Sequence, residues 1–257
     1  MSDVHHAAAR GFDRQADAYD RGRPGYPAEA IAFVIETLRI GPDATIVDLA
    51  AGTGKITREL VPTGAELIAI EPVAGMREVL SRSLPDIRPD VRPDVRVADG
   101  TAESLPLDDA SVDGVVVAQA FHWFDGPRAL AELARVLRPG GRLAVVFNVR
   151  DERDPVQAAL ERVWEPYRGD TPTHRTGAWQ RAFEPADRFT PLVHQAFAND
   201  QRVSADQLVD RVVSVSFIAT LDGAQRAAVE AEVRTLLADE AEVVLPYSTD
   251  VFWTERR

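Results

Sequence analysis

The chain has no cysteine, which excludes disulfides, thiolate metal sites and a cysteine nucleophile together. Any chemistry must therefore come from oxygen and nitrogen groups, or from positioning alone. Lys55 is the single lysine among 29 basic residues, so arginine supplies almost every cation. Together with abundant Ala, Val and Asp, this usage points to a GC-rich bacterial source. No stretch approaches the roughly 20 consecutive apolar residues of a membrane span. The opening MSDVHHAAARGFDRQ also lacks the apolar centre of a secretion signal, so a cytoplasmic protein with no membrane partner is expected. Positive charge is not in excess either. The 41 acidic residues leave a net charge of −12, opposite to the basic footprint of nucleic-acid binders. The expectation is a small-molecule substrate and no nucleic-acid partner.

What is present is enough apolar material for one large core, 45% of 257 residues. Residues 27–40, PAEAIAFVIETLRI, place Ile31, Val34, Ile35 and Leu38 at helical spacing, with Pro27 in the first turn and Gly41 as a stop. A short apolar run from Ala44 to Leu49 follows, then a glycine-bearing turn and a helix from Lys55 to about Val61. Strands are then expected at Glu66–Ile70, Val95–Ala98, Val112–Ala118 and Arg142–Asn148, and helices at Val73–Ser83 and Pro127–Leu137. Strands rich in Val and Ile that alternate with helices imply a parallel sheet covered on both faces. Between Arg88 and Val95 the tetrapeptide Arg-Pro-Asp-Val occurs twice, and its prolines read as an enlarged surface loop.

Periodicity weakens from Asp151 to about Phe189, a stretch holding Trp164, Tyr167, His174, Arg175, Trp179 and Phe183. Strand patterns return at Leu192–Ala198 and Glu242–Trp253, with helices at Ala205–Val213 and Ala224–Ala238 between them. One α/β domain over residues 1–257 is expected. Its parts are an N-terminal lid (1–26), a cofactor-binding core (42–150), an insertion after the fifth strand (151–190) and C-terminal strands and helices (191–257).

The segment IVDLAAGTGKIT ends a buried strand with Asp48 and puts Gly52 and Gly54 in the turn that follows. Glycines there let the backbone turn sharply and approach a ligand, while the next helix offers its N-terminus to negative charge. A dinucleotide fingerprint fits poorly, because its glycine positions hold Ala50, Gly52 and Lys55. A phosphate loop fits no better, since Leu49 replaces its first glycine and Ile56 its hydroxyl.

The same loop resembles the first motif of the class I S-adenosylmethionine-dependent methyltransferases, an acidic residue followed by alternating glycines. Asp48, Gly52 and Gly54 match it, and Ala50 departs at the first glycine. Further on, Glu71 closes the second strand in IAIEP and Asp99 the third in VADGTAESLPL; LRPGG, Leu137–Gly141, precedes the fifth. The resemblance implies a Rossmann-like sheet of seven mostly parallel strands with the last antiparallel. S-adenosylmethionine is the implied cofactor, with Glu71 on the ribose hydroxyls and Asp99 on the adenine amino group. By the same likeness Thr53, Pro72, Gly100, Thr101 and Ala102 border the cofactor. FDRQADAYDRGRPGYP is similar to the lid of the small-molecule branch, with Phe12, Tyr19, Arg23 and Tyr26 as candidate contacts and Arg23 suited to the cofactor carboxylate.

In open α/β sheets the ligand lies beyond the carboxyl ends of the strands. Gln119, Ala120, Phe121, His122 and Trp123 end the fourth strand, and AQAFHWFD resembles a run in the trans-aconitate methyltransferase group. Gln119, Ala120 and Phe121 are assigned to the cofactor, and His122 is the candidate general base if the acceptor must lose a proton. Tyr26, Trp123, Asn148, His174, Arg175, Trp179, Ser214 and Tyr247, with Thr249 nearby, are the candidates for the acceptor pocket. Of these, Arg175 is the one assigned to an acceptor carboxylate. No histidine–carboxylate cluster has metal-ligand spacing, so no metal is expected. The leading reading is methyl transfer to a small organic molecule, possibly a carboxylic acid or a natural-product intermediate. Methylation of RNA or protein, and a protein that binds S-adenosylmethionine or S-adenosylhomocysteine without catalysis, stand as alternatives.

Overall fold

A computed structural model describes residues 20–84, 95–184, 187–237 and 242–257. The duplicated Arg-Pro-Asp-Val stretch lies outside these residues except for Val95.

Helix α1 (Ala28–Leu38) starts behind Pro27, whose fixed φ suits a helix entry. It stops earlier than the glycine signal implies. Arg39, not Gly41, takes the left-handed conformation (φ 54°), and its N–H caps the carbonyls of Ile35 and Glu36. The chain continues through β1 (Thr45–Leu49), α2 (Lys55–Leu60), β2 (Glu66–Ile70), α3 (Ala74–Ser83), β3 (Val95–Ala98), β4 (Val112–Ala118), α4 (Gly126–Val136), β5 (Leu137–Arg150) and α5 (Pro155–Trp164). After short 3-10 turns come β6 (Val193–Ser204), α6 (Ala205–Val213), α7 (Ser216–Ala219), α8 (Gly223–Leu237) and β7 (Glu242–Glu255).

The strands form one seven-stranded sheet in the order β3-β2-β1-β4-β5-β7-β6. The first five pair in parallel, whereas β7 runs antiparallel to both β5 and β6. Six strands thus share one direction and the last opposes them, as expected from the resemblance. LRPGG is strand rather than loop: β5 begins at Leu137 opposite Val112, and a register shift carries it to Arg142 opposite Gly114.

Apolar clusters cover both faces of the sheet. On one face β1, β2, β4 and β5 pack with Leu130 and Leu133 of α4 and with Phe121, Trp179 and Phe183. On the other, Ile31, Val34 and Leu38 of α1 and Ile56 and Leu60 of α2 cover Ile46, Val116 and Val146. A separate layer joins α5, α6 and α8 around Trp164, Leu208, Val212, Val233 and Tyr247. Burial of such side chains contributes about 1.5–3 kcal/mol each and drives the assembly. Among the described residues no helix is long and apolar enough to cross a membrane.

Candidate functional site

Strand order reverses between β1 and β4, which pair through Ile46–Gly114 and Asp48–Val116. Loops leaving the two strands diverge there, one toward β2 and the other toward β5, and open a crevice at the strands' carboxyl ends. The structure has a cleft there, lined by the glycine loop (Ala50–Thr53), Gln119, Arg23, Pro24 and Tyr26. Asn148, Arg211 and Tyr247 also line it.

The glycine loop is built for close approach. Gly52 (φ 58°) and Gly54 (φ 81°) sit in the left-handed region that glycine enters without cost. A Cβ on Gly52 would meet nothing within 4 Å, so the space above that backbone is open to a ligand. Ala50 and Gln119 also carry positive φ, 55° and 62°, strained values for side-chain-bearing residues at the two edges of the cleft. Alanine in place of the motif's first glycine therefore costs conformation rather than space.

Behind the loop lie two buried carboxylates. Asp48 accepts a hydrogen bond from the Thr57 hydroxyl, while its Oδ1 is buried with no partner. Burial, reinforced by the nearby Glu71 charge, raises its pKa to about 7. Glu71 accepts from the Gly52 N–H at 2.9 Å and the Val73 N–H at 2.8 Å, and burial pushes its pKa up as well. These bonds leave lone pairs for further donors. Asp99 is exposed and pairs with Arg77 at 3.2 Å. Arg77 also donates to the Glu71 carbonyl at 2.7 Å, which links the ends of β2 and β3. Pro72 separates Glu71 from α3, and Ala102 is buried in the turn closed by a bridge between Thr101 and Ser104. A Cβ on Gly100 would meet Pro106 at 2.8 Å, so that turn depends on glycine.

Segment 20–26 is fastened across the cleft from four sides. Asp20 accepts from the Thr53 hydroxyl at 2.7 Å and from Arg58 at 3.0 Å. Arg21 pairs with Asp210 at 2.8 Å, and Arg23 donates to the Ser214 carbonyl at 3.4 Å. Asn148 and Asn199 each donate to the Gly25 carbonyl at 3.0 Å, and Gln201 to that of Gly22 at 3.0 Å. Gly22 comes so close to α6 that a Cβ would stand 2.4 Å from the Arg211 nitrogen. Tyr19 and Phe12 lie outside the described residues.

Past Ala120, the short turn Phe121–Trp123 carries His122 to the insertion. The His122 ring lies 5.0 Å from Trp123, 5.8 Å from Phe147 and 5.7 Å from His174, which stacks on Phe147 at 4.7 Å. Nδ1 of His122 and Nε2 of His174 are buried without partners. Burial first, then His174 and Arg23, lowers the His122 pKa to about 3, and burial with Arg150, Arg175 and Arg23 lowers that of His174 to about 4. Both imidazoles are neutral near pH 7.

Several candidates occupy other places than the sequence suggested. The Phe121 and Trp179 side chains belong to the core, their centroids 5.8 Å apart, with Phe252 5.0 Å from Trp179. Arg175 reaches Glu161 at 2.6 Å and also pairs with Glu152, so its charge is engaged within the insertion. Asn148 is a structural node that accepts from Thr249 at 2.6 Å and from Asn199 at 3.1 Å. Ser214 donates to the Arg211 carbonyl at 3.1 Å. Trp123 is half-buried beside His122. Sequence reasoning missed Asp20 and Arg211, an aspartate in a polar segment and an arginine in an amphipathic helix, which nothing in their local pattern distinguishes.

With this geometry in hand, the chain can be set beside known proteins. A family model described as a methyltransferase domain matches residues 47–145. An uncharacterized methyltransferase-like protein of Schizosaccharomyces pombe is 31% identical over 252 residues, 95% of each chain. The chain belongs to the class I S-adenosylmethionine-dependent methyltransferases. The methyl donor of that family is S-adenosylmethionine. An uncharacterized methyltransferase of Mycobacterium tuberculosis is 48% identical over 142 residues, 55% of this chain and 54% of the relative. The chain thus matches about half the length of that mycobacterial relative. Among solved structures, the YcgJ protein of Bacillus subtilis has the same fold, with a TM-score of 0.59 at 23% identity over 90% of this chain and 99% of that one.

The residues present fit the donor. The open space over Gly52 admits its backbone-hugging portion, and unpartnered Asp48 Oδ1 and Gln119 Nε2 leave an acceptor and a donor near strand ends.

Proposed function

We propose that the protein transfers a methyl group from S-adenosylmethionine to a small organic molecule, chiefly by positioning. The observation that carries this reading is that the glycine loop, Arg23, Tyr26, Gln119, Asn148 and Tyr247 line one and the same cleft. When bound, the donor supplies a methyl carbon on a sulfonium, which departs as a neutral thioether. The backbone of Ala50–Thr53 would hold the donor's polar chain, Glu71 its ribose hydroxyls, and Arg23 its carboxylate. Thr53, Pro72, Asp99, Gly100, Thr101, Ala102, Gln119 and Ala120 would complete that half of the site. Tyr26, Asn148 and Tyr247 would border the acceptor.

Fixing two reactants at near-attack distance is worth up to roughly 7–11 kcal/mol, enough to make a proton-transfer residue optional. His122 suits a positioning role better than that of a strong base. Its pKa of about 3 in the ligand-free site makes it a weak proton acceptor, and its neutrality avoids repulsion of a sulfonium. A His122→Gln variant should retain affinity for S-adenosylhomocysteine by calorimetry. If turnover then falls more than roughly a hundredfold, His122 is a general base after all.

A further inference from the structure

We propose that Arg211 anchors a carboxylate of the methyl acceptor on the wall that the C-terminal layer gives to the cleft. This deepens the methyltransferase reading and rests on it.

Arg211 is only 4% exposed and lines the cleft. Its Nη1 is buried with no partner, and its Nε donates to the Tyr247 hydroxyl at 3.4 Å. The indole of Trp164 lies 5.8 Å from the guanidinium carbon. Among the described residues it forms no ion pair with a carboxylate. Its neighbours differ: Arg150, Arg168 and Arg175 all reach Glu161, and Arg58 reaches Asp20. A buried guanidinium without a counter-charge is destabilising, which a phenol and an indole offset only in part. An anion delivered by a ligand would complete the pair, and the planar fork fits a carboxylate in two parallel hydrogen bonds.

Position assigns the anion to the acceptor. Arg211 stands in α6 and touches Trp164 and Tyr247 of the C-terminal layer, so its part of the cleft wall comes from that layer and not from a strand-end loop of the cofactor-binding core. Arg23 also lines the cleft, and under the proposed function it is the residue that would hold the donor's own carboxylate. The role that the sequence suggested for Arg175 thus passes to an arginine whose charge is not already matched. Attack by a carboxylate oxygen on the methyl carbon forms an ester C–O bond as the C–S bond breaks and its electron pair stays on sulfur. No proton moves, which agrees with neutral, weakly basic histidines.

The test compares wild type with Arg211→Met, which removes the charge at similar length, and Arg211→Lys, which keeps the charge and loses the fork. Thermal unfolding of each S-adenosylhomocysteine complex is followed with acetate, acetamide, benzoate, benzamide and inorganic phosphate. Wild type should be stabilised by the carboxylates and not by the amides, Arg211→Lys more weakly, and Arg211→Met not at all. The Met variant, relieved of an unmatched charge, should unfold without ligand at the same or a higher temperature than wild type. Its affinity for S-adenosylhomocysteine should stay within about twofold. Four results would overturn the proposal: no carboxylate effect in wild type, equal effects of acids and amides, a stronger response to phosphate, or a carboxylate effect that survives in Arg211→Met. A roughly tenfold loss of S-adenosylhomocysteine affinity in Arg211→Met, with 5′-methylthioadenosine affinity unchanged, would also overturn it by giving the anion to the donor. If wild type binds no S-adenosylhomocysteine, the methyltransferase reading fails instead, and the carboxylate response of the ligand-free protein still decides on Arg211.

Discussion

Replacing Asp48 with Asn should stabilise the ligand-free protein in a way that depends on pH. In the folded chain Asp48 is buried, and its pKa rises from the ordinary 3.8 to about 7. The folded state therefore holds a proton that the unfolded chain releases, so stability is fully present below 3.8 and is lost as pH rises through about 7. The gap is roughly three decades of proton affinity, and at about 1.36 kcal/mol per decade the penalty approaches 4 kcal/mol above pH 7. Asparagine keeps the shape, can still accept from Thr57, and does not ionise. Its own fixed cost is the same at every pH, so the informative quantity is the slope. Urea unfolding of both proteins at pH 5, 6, 7 and 8 should show Asp48→Asn gaining on wild type by up to about 1.4 kcal/mol per pH unit to pH 7, then levelling off. A difference that stays constant across this range would refute the burial argument.

The two histidines shape the acid side of the same curve. Their folded pKa values of about 3 and about 4 lie below the ordinary 6.5, so stability falls as pH drops below 6.5, and His122→Gln should flatten that decline in acid titration of the unfolding free energy. Ala50→Gly removes the left-handed strain at φ 55° while loosening the unfolded chain, so urea unfolding should report a change between zero and about 1 kcal/mol in favour of the variant. A β-branched residue there should destabilise instead. Gly22→Ala forces a methyl onto the backbone of α6 and should lift segment 20–26, weakening S-adenosylhomocysteine binding roughly tenfold by calorimetry.

The sheet was legible because its strands are short apolar runs rich in Val and Ile, and β1, β2 and β4 fall where those runs lie. The start of β5 was not: the strand was expected only from Arg142, because Pro139, Gly140 and Gly141 have little strand propensity. A bulge and a partner strand hold that stretch extended where its own propensity would not. In the candidate site, the glycine loop was legible from its local pattern, whereas Glu71 was singled out by the family resemblance. His122 and His174 stand 52 positions apart, and their proximity comes from the aromatic packing of a segment with no regular period. Arg211 was illegible for a related reason: what sets it apart is a missing counter-charge, a property of the packed protein alone.

The central claim is that the cleft at the β1–β4 switch binds S-adenosylmethionine. Calorimetric titration with S-adenosylmethionine, with NAD and ATP in parallel, tests it most directly. Saturable one-to-one binding of S-adenosylmethionine, weakened by Glu71→Ala and absent for the other two nucleotides, is the predicted result. Saturable binding of NAD or ATP with no response to S-adenosylmethionine would contradict the account.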